Sequence, residues 1–520
     1  KAGARPDLDL DFARTKSLTD RVSKEDLITF TRSTTASGSH TGATYVDEKG
    51  YINRAGSNLI KYSQDLSQSD WVKNNNTSFT GNNVVAPDGT LTAGTFSINA
   101  TGYGINAGGT NATIIDPSST STSSSAPLGG SFANFSFPSD GSWIRGKTYP
   151  FTVPSTANNS LVVFPLVGSG SIYQIVPVIN GESYVYSAWV KKDPSTGKIY
   201  TWGVQLEPAR NYPADSFTSS NYAPGGPVTH KFYSEYVKTT TQPNSAPRFT
   251  HDPETLESKG LLIEQQSTNL ISYSEDFSQS DWTKEQISLD SNTTATTAPD
   301  GTNTASLITA TGSTSDVHRI RKGGFSFDGT PYTLSVFVKF NTSRQVLFKI
   351  FKQNQGTGQG NILYKRAKLN TDGSLTIGSG GTGTLIFEKY PNGWYRFIVT
   401  SASSSGTHAG SIIVSILQND INTEGFVANG QSIYIWGAQL ENSTFGTSYI
   451  ANFGQANGVT RSPDLVKIDG DNFGTYRTSL VTNTSFRKNY DGWLDNNNTI
   501  LDPYAAASPF GTYDAGKLIA

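Results

Sequence analysis

The sequence predicts an all-β protein built from sandwiches or barrels. Short stretches of alternating apolar and polar residues recur, such as "YTLSVFVKF" at 332–340 and "IYIWGAQLE" at 433–441. Gly, Asn, Asp and Pro bound these stretches, and strands spaced about every 8–12 residues are typical of all-β folds. Helical periodicity is almost absent. A long internal repeat and a polar composition are the other two observations that support this class.

The composition suits short strands joined by many turns and excludes several functions. Only 35% of the 520 residues are hydrophobic, while 51 are Gly and 11% are aromatic. The net charge of −2 gives no positive field for nucleic acid. No run approaches the roughly 18 apolar residues of a membrane-spanning helix, so we expect no membrane insertion. The absence of Cys excludes disulfides, thiolate metal sites and cysteine nucleophiles.

One stretch occurs twice. "LIKYSQDLSQSDWVK" at 59–73 and "LISYSEDFSQSDWTK" at 270–284 share eleven of fifteen residues at an offset of 211. "APDGT" follows in both copies, and "IYTWGVQLE" at 199–207 later matches "IYIWGAQLE" in seven of nine positions. This offset is too long for solenoid repeats of about 20–50 residues and fits a duplicated domain.

The two copies differ internally. The first carries a long insertion, roughly 91–183, which includes the serine-rich "DPSSTSTSSSAPLGG". In the second, about 90 residues containing "NGWYRFIVTS" separate two strands that are nearly adjacent in the first. We therefore expect one copy to be a remodelled version of a common frame.

Four tryptophans occupy equivalent positions of the copies: Trp71 and Trp282, and Trp202 and Trp436. Flat aromatic rings can pack on the C–H-rich faces of sugars. Residues retained in both copies of a remodelled pair are nevertheless better explained by its frame. We therefore expect these four residues to form structural core.

Aromatic residues without an apparent counterpart are better candidates for a ligand surface. Trp143, Tyr149 and Tyr173 lie in the insertion of the first copy, and we predict glycan contact there. The alternative is packing between subunits, so an exposed patch of the three would favour binding. In the second copy Trp394 and Tyr395 stand out, and we expect Trp394 to be core.

The N-terminal "DLDLDF" at 7–12 alternates acidic and apolar residues. In a strand, Asp7, Asp9 and Asp11 would share one face at spacings of about 6.6–7 Å, where carboxylates can bind Ca²⁺. We favour a charged edge that prevents aggregation. We therefore expect no cofactor, with structural calcium as the alternative.

No catalytic constellation stands out. The sequence lacks a Gly-x-Ser-x-Gly elbow, a His-Glu-x-x-His zinc motif and a phosphate-binding loop. Its 42 acidic residues single out no carboxylate pair of the kind that glycosidases use. We therefore predict no catalytic residues and no enzyme activity.

Three longer runs resemble one protein family. They are "DLITFTRSTTA…ATYVDEKGYI" (26–52), "PRFTHDPETLESKGLLIEQQSTNLISYSEDFSQSDWTK" (247–284) and "IYIWGAQLENSTFGTSYIANFGQANGVTRSPDL" (433–465). They are similar to modular fibre, spike and minor tail proteins of tailed bacteriophages, with head-spike-fibre or carbohydrate-binding-like domains. In that family the first two runs are typically adjacent, whereas here the first copy of the repeat is spliced between them.

The resemblance implies tandem jelly-roll β-sandwiches, similar to carbohydrate-binding modules, joined by an extended β connector. The expected divisions are an N-terminal β segment (1–57), a first module (58–228), the connector (229–268), a second module (269–462), and a linker with the start of a third (463–520). "LVTNTSFRKNYDGWLDNNN" at 480–498 has the rhythm of such a start. We expect the natural protein to continue beyond Ala520.

The resemblance also implies a role. It predicts an extracellular virion component, a fibre, spike or appendage, that presents its modules for host-surface adhesion or glycan binding. The expected partners are other virion proteins and host-surface polysaccharide, and fibre families imply a homo-oligomer, a trimer. A purely architectural or capsid-decorating protein is the alternative, and a polysaccharide depolymerase is the least supported.

Overall fold

The computed structural model is all-β apart from one short α-helix and one 3-10 turn among the described residues, which confirms the predicted fold class. The chain divides into two units, one of residues 1–17 and 30–466 and one of residues 18–29 and 467–520. The structure describes residues 10–21, 28–33, 43–74, 79–96, 100–107, 140–147, 151–152, 160–168, 171–178, 183–193, 195, 199–208, 236–352, 360–403, 406–418, 424–468, 500–506 and 515–519.

The N-terminal segment contains one helix and four short strands: α1 (Phe12–Thr15), β1 (Ile28–Thr31), β2 (Thr44–Val46), β3 (Ile52–Arg54) and β4 (Ser57–Asn58). The Asp11 carboxylate accepts a hydrogen bond from the Arg14 backbone N–H at 3.1 Å, which caps α1. The strand expected over 7–12 is therefore wrong at its C-terminal end, because a helix starts there. Asp7 and Asp9 lie outside the described residues.

The described residues of the first sandwich form ten strands: β5 (Val72–Asn74), β6 (Phe79–Val84), β7 (Ala93–Phe96), β8 (Ala100–Ala107), β9 (Ile144–Lys147), β10 (Phe151–Thr152), β11 (Ser160–Gly168), β12 (Ser171–Pro177), β13 (Ser183–Lys192) and β14 (Ile199–Pro208). One antiparallel sheet has the order β10-β13-β14-β7-β6, with β9 also paired to β13. The other sheet has the order β5-β12-β11-β8.

The connector adds four strands: β15 (Asn244–Ser245), β16 (Arg248–His251), β17 (Ser258–Leu262) and β18 (Ser267–Asn269). β15 pairs with β4, which places Asn244 opposite Asn58. The chain therefore leaves for the first sandwich and returns from it at adjacent points. β16 and β17 form a hairpin that packs on β2, where Arg248 donates a hydrogen bond to the Thr44 carbonyl at 2.8 Å.

Thirteen strands are present in the part of the second sandwich that the structure describes: β19 (Trp282–Glu285), β20 (Ile287–Asp290), β21 (Ser306–Ala310), β22 (Asp316–Phe327), β23 (Thr333–Phe340), β24 (Gln345–Lys352), β25 (Gly360–Leu369), β26 (Leu375–Ile377), β27 (Thr384–Tyr390), β28 (Trp394–Thr400), β29 (His408–Leu417), β30 (Gly425–Phe426) and β31 (Ser432–Glu441). A 3-10 turn, Pro391–Gly393, joins β27 to β28. One antiparallel sheet has the order β20-β21-β31-β23-β28-β27, and the other has the order β19-β22-β29-β24-β25-β26 with β30 paired to β22.

The core of the second sandwich lies between its two sheets. Val346, Phe348 and Ile350 alternate along β24 and pack with Leu334 and Val336 of β23, all at most 1% exposed. Alternation puts every second residue on one side of a strand. Each such side chain contributes about 1.5–3 kcal/mol by burial.

Two strands follow the second sandwich, β32 (Val459–Arg461), which pairs with β18, and β33 (Leu465–Ile468). In the second unit, β34 (Ile500–Ala506) and β35 (Ala515–Ile519) form an antiparallel pair. The stretch 480–498, where a third module was expected to start, lies outside the described residues.

The register shows how the sandwiches correspond. β5 and β12 pair as β19 and β22 do, and β13 and β14 pair as β23 and β31 do, with matching bulges before Trp189 and Phe337. β11 and β8 then occupy the positions of β29 and β24, and β9 that of β28. The insertion of the first copy therefore supplies the same sheet positions as the inner segment of the second, from a different point in the chain.

Candidate functional site

In each sandwich the outer side of the sheet that carries Trp202 or Trp436 is covered. In the second, Trp436 packs against Phe337 and Tyr449, with ring centroids 5.3 and 4.9 Å away, and Ile52 of the N-terminal segment joins this cluster. In the first, the Trp202 ring lies 4.7 Å from that of Tyr236. These outer sides are internal packing surfaces.

The four repeated tryptophans are all buried, at 3% exposure or less. Trp71 and Trp282 donate their indole N–H to the carbonyls of Tyr62 and Tyr273, each at 3.1 Å. The indole N–H groups of Trp202 and Trp436 each find a threonine hydroxyl at 2.9 Å. Buried indole N–H groups need such partners, which explains why these contacts are repeated with the rings.

Trp143 belongs to the packed layer. It is half-buried against the Trp202 cluster and donates its indole N–H to the Val85 carbonyl at 3.0 Å. Trp394 likewise donates its indole N–H to the Thr297 carbonyl, at 2.8 Å. Arg145 lies opposite Trp189 and Arg396 lies opposite Phe337, so Trp143 and Trp394, each two residues earlier, occupy equivalent positions. The expectation that Trp143 has no counterpart is therefore wrong, because Trp394 occupies its position in the second sandwich.

Tyr173 lies elsewhere. It is on β12, opposite Val72, in the sheet that does not contain the Trp143 segment. Tyr149 lies outside the described residues. Because Trp143 precedes β9 of one sheet and Tyr173 lies on β12 of the other, these two residues do not form the exposed patch that would have favoured glycan binding.

The outer side of the four-stranded sheet is apolar around Tyr173. Val72 and Ile175 are 39% and 60% exposed, and Tyr173 lies between them in the register. We call Val72, Tyr173 and Ile175 the first face.

The equivalent side of the seven-stranded sheet carries different chemistry. Alternation directs Ile320, Val346, Phe348 and Val414 into the core and the intervening residues outward. The outward residues, here called the second face, are Glu285, Arg319, Arg321, Leu347, Lys349, Tyr364, Arg366, Ile413 and Ser415. Across the strands they form two rows: Arg321, Ile413, Lys349 and Tyr364, and then Glu285, Arg319, Ser415, Leu347 and Arg366.

Ion pairs hold the arginines of the second face. Glu285 accepts from the Arg319 guanidinium at 2.6 Å, and its other oxygen lies 3.8 Å from Arg321 Nε. By register Tyr173 occupies the position of Arg321 in the first sandwich. A cation in one copy thus replaces an aromatic ring in the other.

Lys349, Tyr364 and Arg366 form a second cluster on this face. Lys349 pairs with Glu424, and its Nζ lies 5.3 Å from the centre of the Tyr364 ring, with the Arg366 guanidinium at 5.4 Å. Burial raises the pKa of Tyr364, and the negative charge of Glu424 raises it further. The phenol therefore stays neutral at physiological pH and is able to donate a hydrogen bond.

Two buried polar atoms on this face lack a hydrogen-bond partner among the residues that the structure describes: Ser415 Oγ and Arg321 Nε. Ser415 is 1% exposed and lies between Arg319 and Leu347 in its row. An unsatisfied buried polar group costs about 1–3 kcal/mol, and native proteins retain few of them. The Ser415 hydroxyl can donate or accept a hydrogen bond with a ligand, whereas the Arg321 Nε–H can only donate one.

A cavity of about 630 Å³ adjoins the second face. It lies beside the bulge of β22, and Arg321 lines it together with Asp281, Lys322, Phe325 and Tyr332. Asp281 accepts hydrogen bonds from Lys322 and from Ser272, each at 2.9 Å, and these bonds and the lysine charge hold its pKa below the usual value. The cavity therefore has a polar wall and an aromatic wall.

A buried ion network joins the N-terminal segment, the connector and the end of the second sandwich. Asp464 pairs with Arg32 at 2.7 Å and with Arg248 at 2.6 Å, while Glu264 pairs with Arg248 and Arg461 at 2.7 and 3.2 Å. A separate cavity of about 310 Å³ lies beside it. The network therefore holds the N-terminal segment and the connector against the end of the second sandwich.

No three His, Asp or Glu side chains within the described part of the chain come together as a metal site would require. Asp11, the described member of the calcium alternative, caps α1. No helix among these residues is long and apolar enough to span a membrane.

The chain is similar to carbohydrate-binding modules among solved structures. One is the CBM22-1–CBM22-2 tandem domain of Paenibacillus barcinonensis Xyn10C (8% identity, 74% of this chain and 98% of that chain, TM-score 0.26). Another is the family 11 module from Clostridium thermocellum in complex with a β-1,3-1,4-mixed-linked tetrasaccharide (14%, 37% and 99%, 0.20). No protein-family model and no curated protein matches the chain. At these identities the likeness concerns the β-sandwich fold alone.

Proposed function

We propose that this protein is a non-catalytic glycan-binding protein that presents two β-sandwiches to a polysaccharide. The observation that carries the proposal is the contrast between the sheets of each sandwich. One outer side is covered by a tryptophan-centred layer, while the other carries partly exposed side chains suited to sugars. Apolar and aromatic groups with a few oriented polar groups are typical of ligand sites.

The two modules would bind the same polysaccharide at the same time. Linking weak sites raises avidity by about 10²–10⁴-fold when both can engage. The resemblance to tailed-phage fibre and spike proteins supports a virion appendage that attaches to host-surface polysaccharide, as part of a homotrimer. Detection of the chain by mass spectrometry in purified phage particles tests the location, and its absence from every particle would contradict it.

Retention on immobilised bacterial surface polysaccharides tests the function. We expect saturable retention of the intact chain with no release of shortened oligosaccharide. Tyr173→Ala tests the first face and Arg321→Gln the second, and each should weaken retention without lowering thermal stability. Release of shortened polysaccharide would instead indicate a depolymerase.

An architectural role is the second candidate, favoured by Val72 and Ile175. Exposed apolar side chains in a cluster are suited to contact with another protein. In that case the chain would bind virion proteins through the first face, and no surface polysaccharide would retain it.

A further inference from the structure

We propose that the second face binds acidic saccharides, through sugar carboxylates. This inference rests on the proposed function and specifies its ligand class. Arg319, Arg321, Lys349 and Arg366 stand against Glu285 and Glu424, four cations against two carboxylates. Cations therefore outnumber carboxylates among the described residues of this face, whereas the whole chain carries a net charge of −2.

Ion pairs hold three of the four cations, Arg319, Arg321 and Lys349. Glu285 contacts both arginines of β22, and Glu424 contacts Lys349. Arg319 and Arg321 are two residues apart on one strand, a spacing of about 6.6–7 Å, and Lys349 lies two strands away, about 10 Å. Prepositioned guanidinium groups suit carboxylates because they donate two parallel hydrogen bonds.

Arg321 is the residue best placed to contact a ligand. Its side chain is 37% exposed, while its Nε is buried without a hydrogen-bond partner in the described residues. It lines the cavity of about 630 Å³ and also belongs to the second face. A saccharide chain could therefore cross the face and place one residue in the cavity, where Phe325 and Tyr332 supply apolar contact.

Ser415 is a second, independent indication of a ligand. Its hydroxyl is buried on the outward side of β29, next to Arg319 in the register, and no described residue accepts or donates to it. A charged surface that served only for solubility would not require an unsatisfied hydroxyl at its centre. A sugar hydroxyl or carboxylate would satisfy it.

The first sandwich provides the internal contrast. Its equivalent surface has Ser171, Tyr173 and Ile175 in the positions of Arg319, Arg321 and Gly323. The charge is therefore not part of the shared frame. It belongs to the second copy alone, as a specificity determinant would.

The test compares matched polymers with the intact chain. Polygalacturonate, alginate and hyaluronate are each immobilised beside a derivative whose carboxylates have been reduced to alcohols, with dextran sulfate beside dextran. We expect at least one carboxylate polymer to bind about tenfold or more tightly than its reduced form. Arg321→Gln should weaken that binding about tenfold, the effect of one charge-assisted hydrogen bond.

Lys389→Gln is the matched control, because it removes the same charge from the opposite sheet, where Lys389 pairs with Glu254. It should leave binding unchanged. Ser415→Ala should weaken binding less than Arg321→Gln and preserve the preference for carboxylates. Circular dichroism and thermal unfolding establish that each variant is folded.

The outcomes separate this inference from the proposed function. Equal binding to a carboxylate polymer and its reduced form would overturn the inference and leave glycan binding intact. Binding to none of the polymers, or to the surface polysaccharides above, would overturn both. Preference for dextran sulfate, weakened equally by Arg321→Gln and Lys389→Gln, would mean non-specific attraction and would also overturn the inference.

Discussion

The two sandwiches share a frame and differ in one face. Asn58 and Asn269 illustrate the frame: each side chain donates to two backbone carbonyls and accepts from two backbone N–H groups at matching positions. The first face is apolar around Tyr173, while the second carries Arg319, Arg321 and Lys349. Contacts inside the sandwich therefore fix the fold, whereas the outward side of one sheet varies between the copies.

The sandwiches also differ in how the rest of the chain holds them. The N-terminal segment and the connector are held against the second sandwich by buried ion pairs among Arg32, Arg248, Glu264, Arg461 and Asp464. The first is connected where β4 and β15 pair. Substitutions that destabilise one sandwich and leave the other unchanged therefore test this comparison.

The largest effect is expected from Asp464→Ala. The substitution leaves the guanidinium groups of Arg32 and Arg248 buried without this carboxylate, and breaking a buried pair in this way costs about 3–5 kcal/mol. Urea unfolding followed by hydrogen exchange and mass spectrometry should show the loss in the second sandwich alone. Glu254→Ala, which breaks the exposed pair with Lys389, is the control and should change stability by less than about 1 kcal/mol.

A smaller and equal effect is expected from Asn58→Ala and Asn269→Ala. Each leaves buried backbone groups unsatisfied, at a cost of about 1–3 kcal/mol in its own sandwich. The same unfolding measurement should assign each loss to the sandwich that carries the substitution. A loss confined to one of the two variants would contradict the shared frame.

Acid should weaken the second sandwich more than the first. Burial by itself raises the pKa of Glu264, but the charges of Arg461 and Arg248 and the hydrogen bonds from Ser448 lower it below the usual value. A carboxyl whose folded pKa is lowered stabilises above its unfolded pKa, and that stability is lost as pH falls through the folded pKa. The pKa values of Asp65 and Asp276 are both lowered, so these equivalent residues contribute in the same way to the acid sensitivity of the two copies.

Unfolding free energies measured at pH 7 and across the acid range below about pH 4.3, the ordinary Glu value, test this point. Glu264→Gln should flatten the pH dependence of the second sandwich and leave that of the first unchanged. An equal slope in both sandwiches before the substitution would argue against the assignment.

The smallest effect is expected at two lysine–aspartate pairs. Lys322 is nearly buried and lies over the Trp282 ring at 5.5 Å, whereas Lys61, which pairs with the equivalent Asp70, is 38% exposed. Lys322→Ala should lower the free energy of unfolding by about 1 kcal/mol, because it also removes the contact with the Trp282 ring. Lys61→Ala should lower it by less. Thermal unfolding of the two variants checks the order, and the reverse order would contradict it.

Much of the fold could be predicted from the sequence. Turn residues and alternation indicate strands locally, and the repeat around Trp71 and Trp282 identifies two domains. The exchange of strand positions could not be predicted, because which strands become neighbours depends on pairing between residues distant in sequence. "GSWIRG" and "NGWYRF" share too few residues to show that Trp143 and Trp394 are equivalent.

The candidate site was the harder prediction. Aromatic residues were the predicted glycan contacts because sugars pack on rings, and Tyr173 does lie on an outward face. Arg319, Arg321 and Lys349 were missed, because charged residues on a strand are usually only solvated. The available signal was the alternation of "HRIRK" at 318–322, which places both arginines on one side of β22 opposite Ile320.

Arginine footprinting tests directly whether the second face binds the saccharide. The intact chain is treated with an arginine-specific dicarbonyl reagent, with and without the polymer of the panel that binds most tightly, and modified residues are identified by mass spectrometry. We expect the polymer to protect Arg319, Arg321 and Arg366 from modification and to leave the reactivity of Arg14 and Arg54 unchanged. Polymer binding that leaves the three arginines of the second face as reactive as before would contradict it.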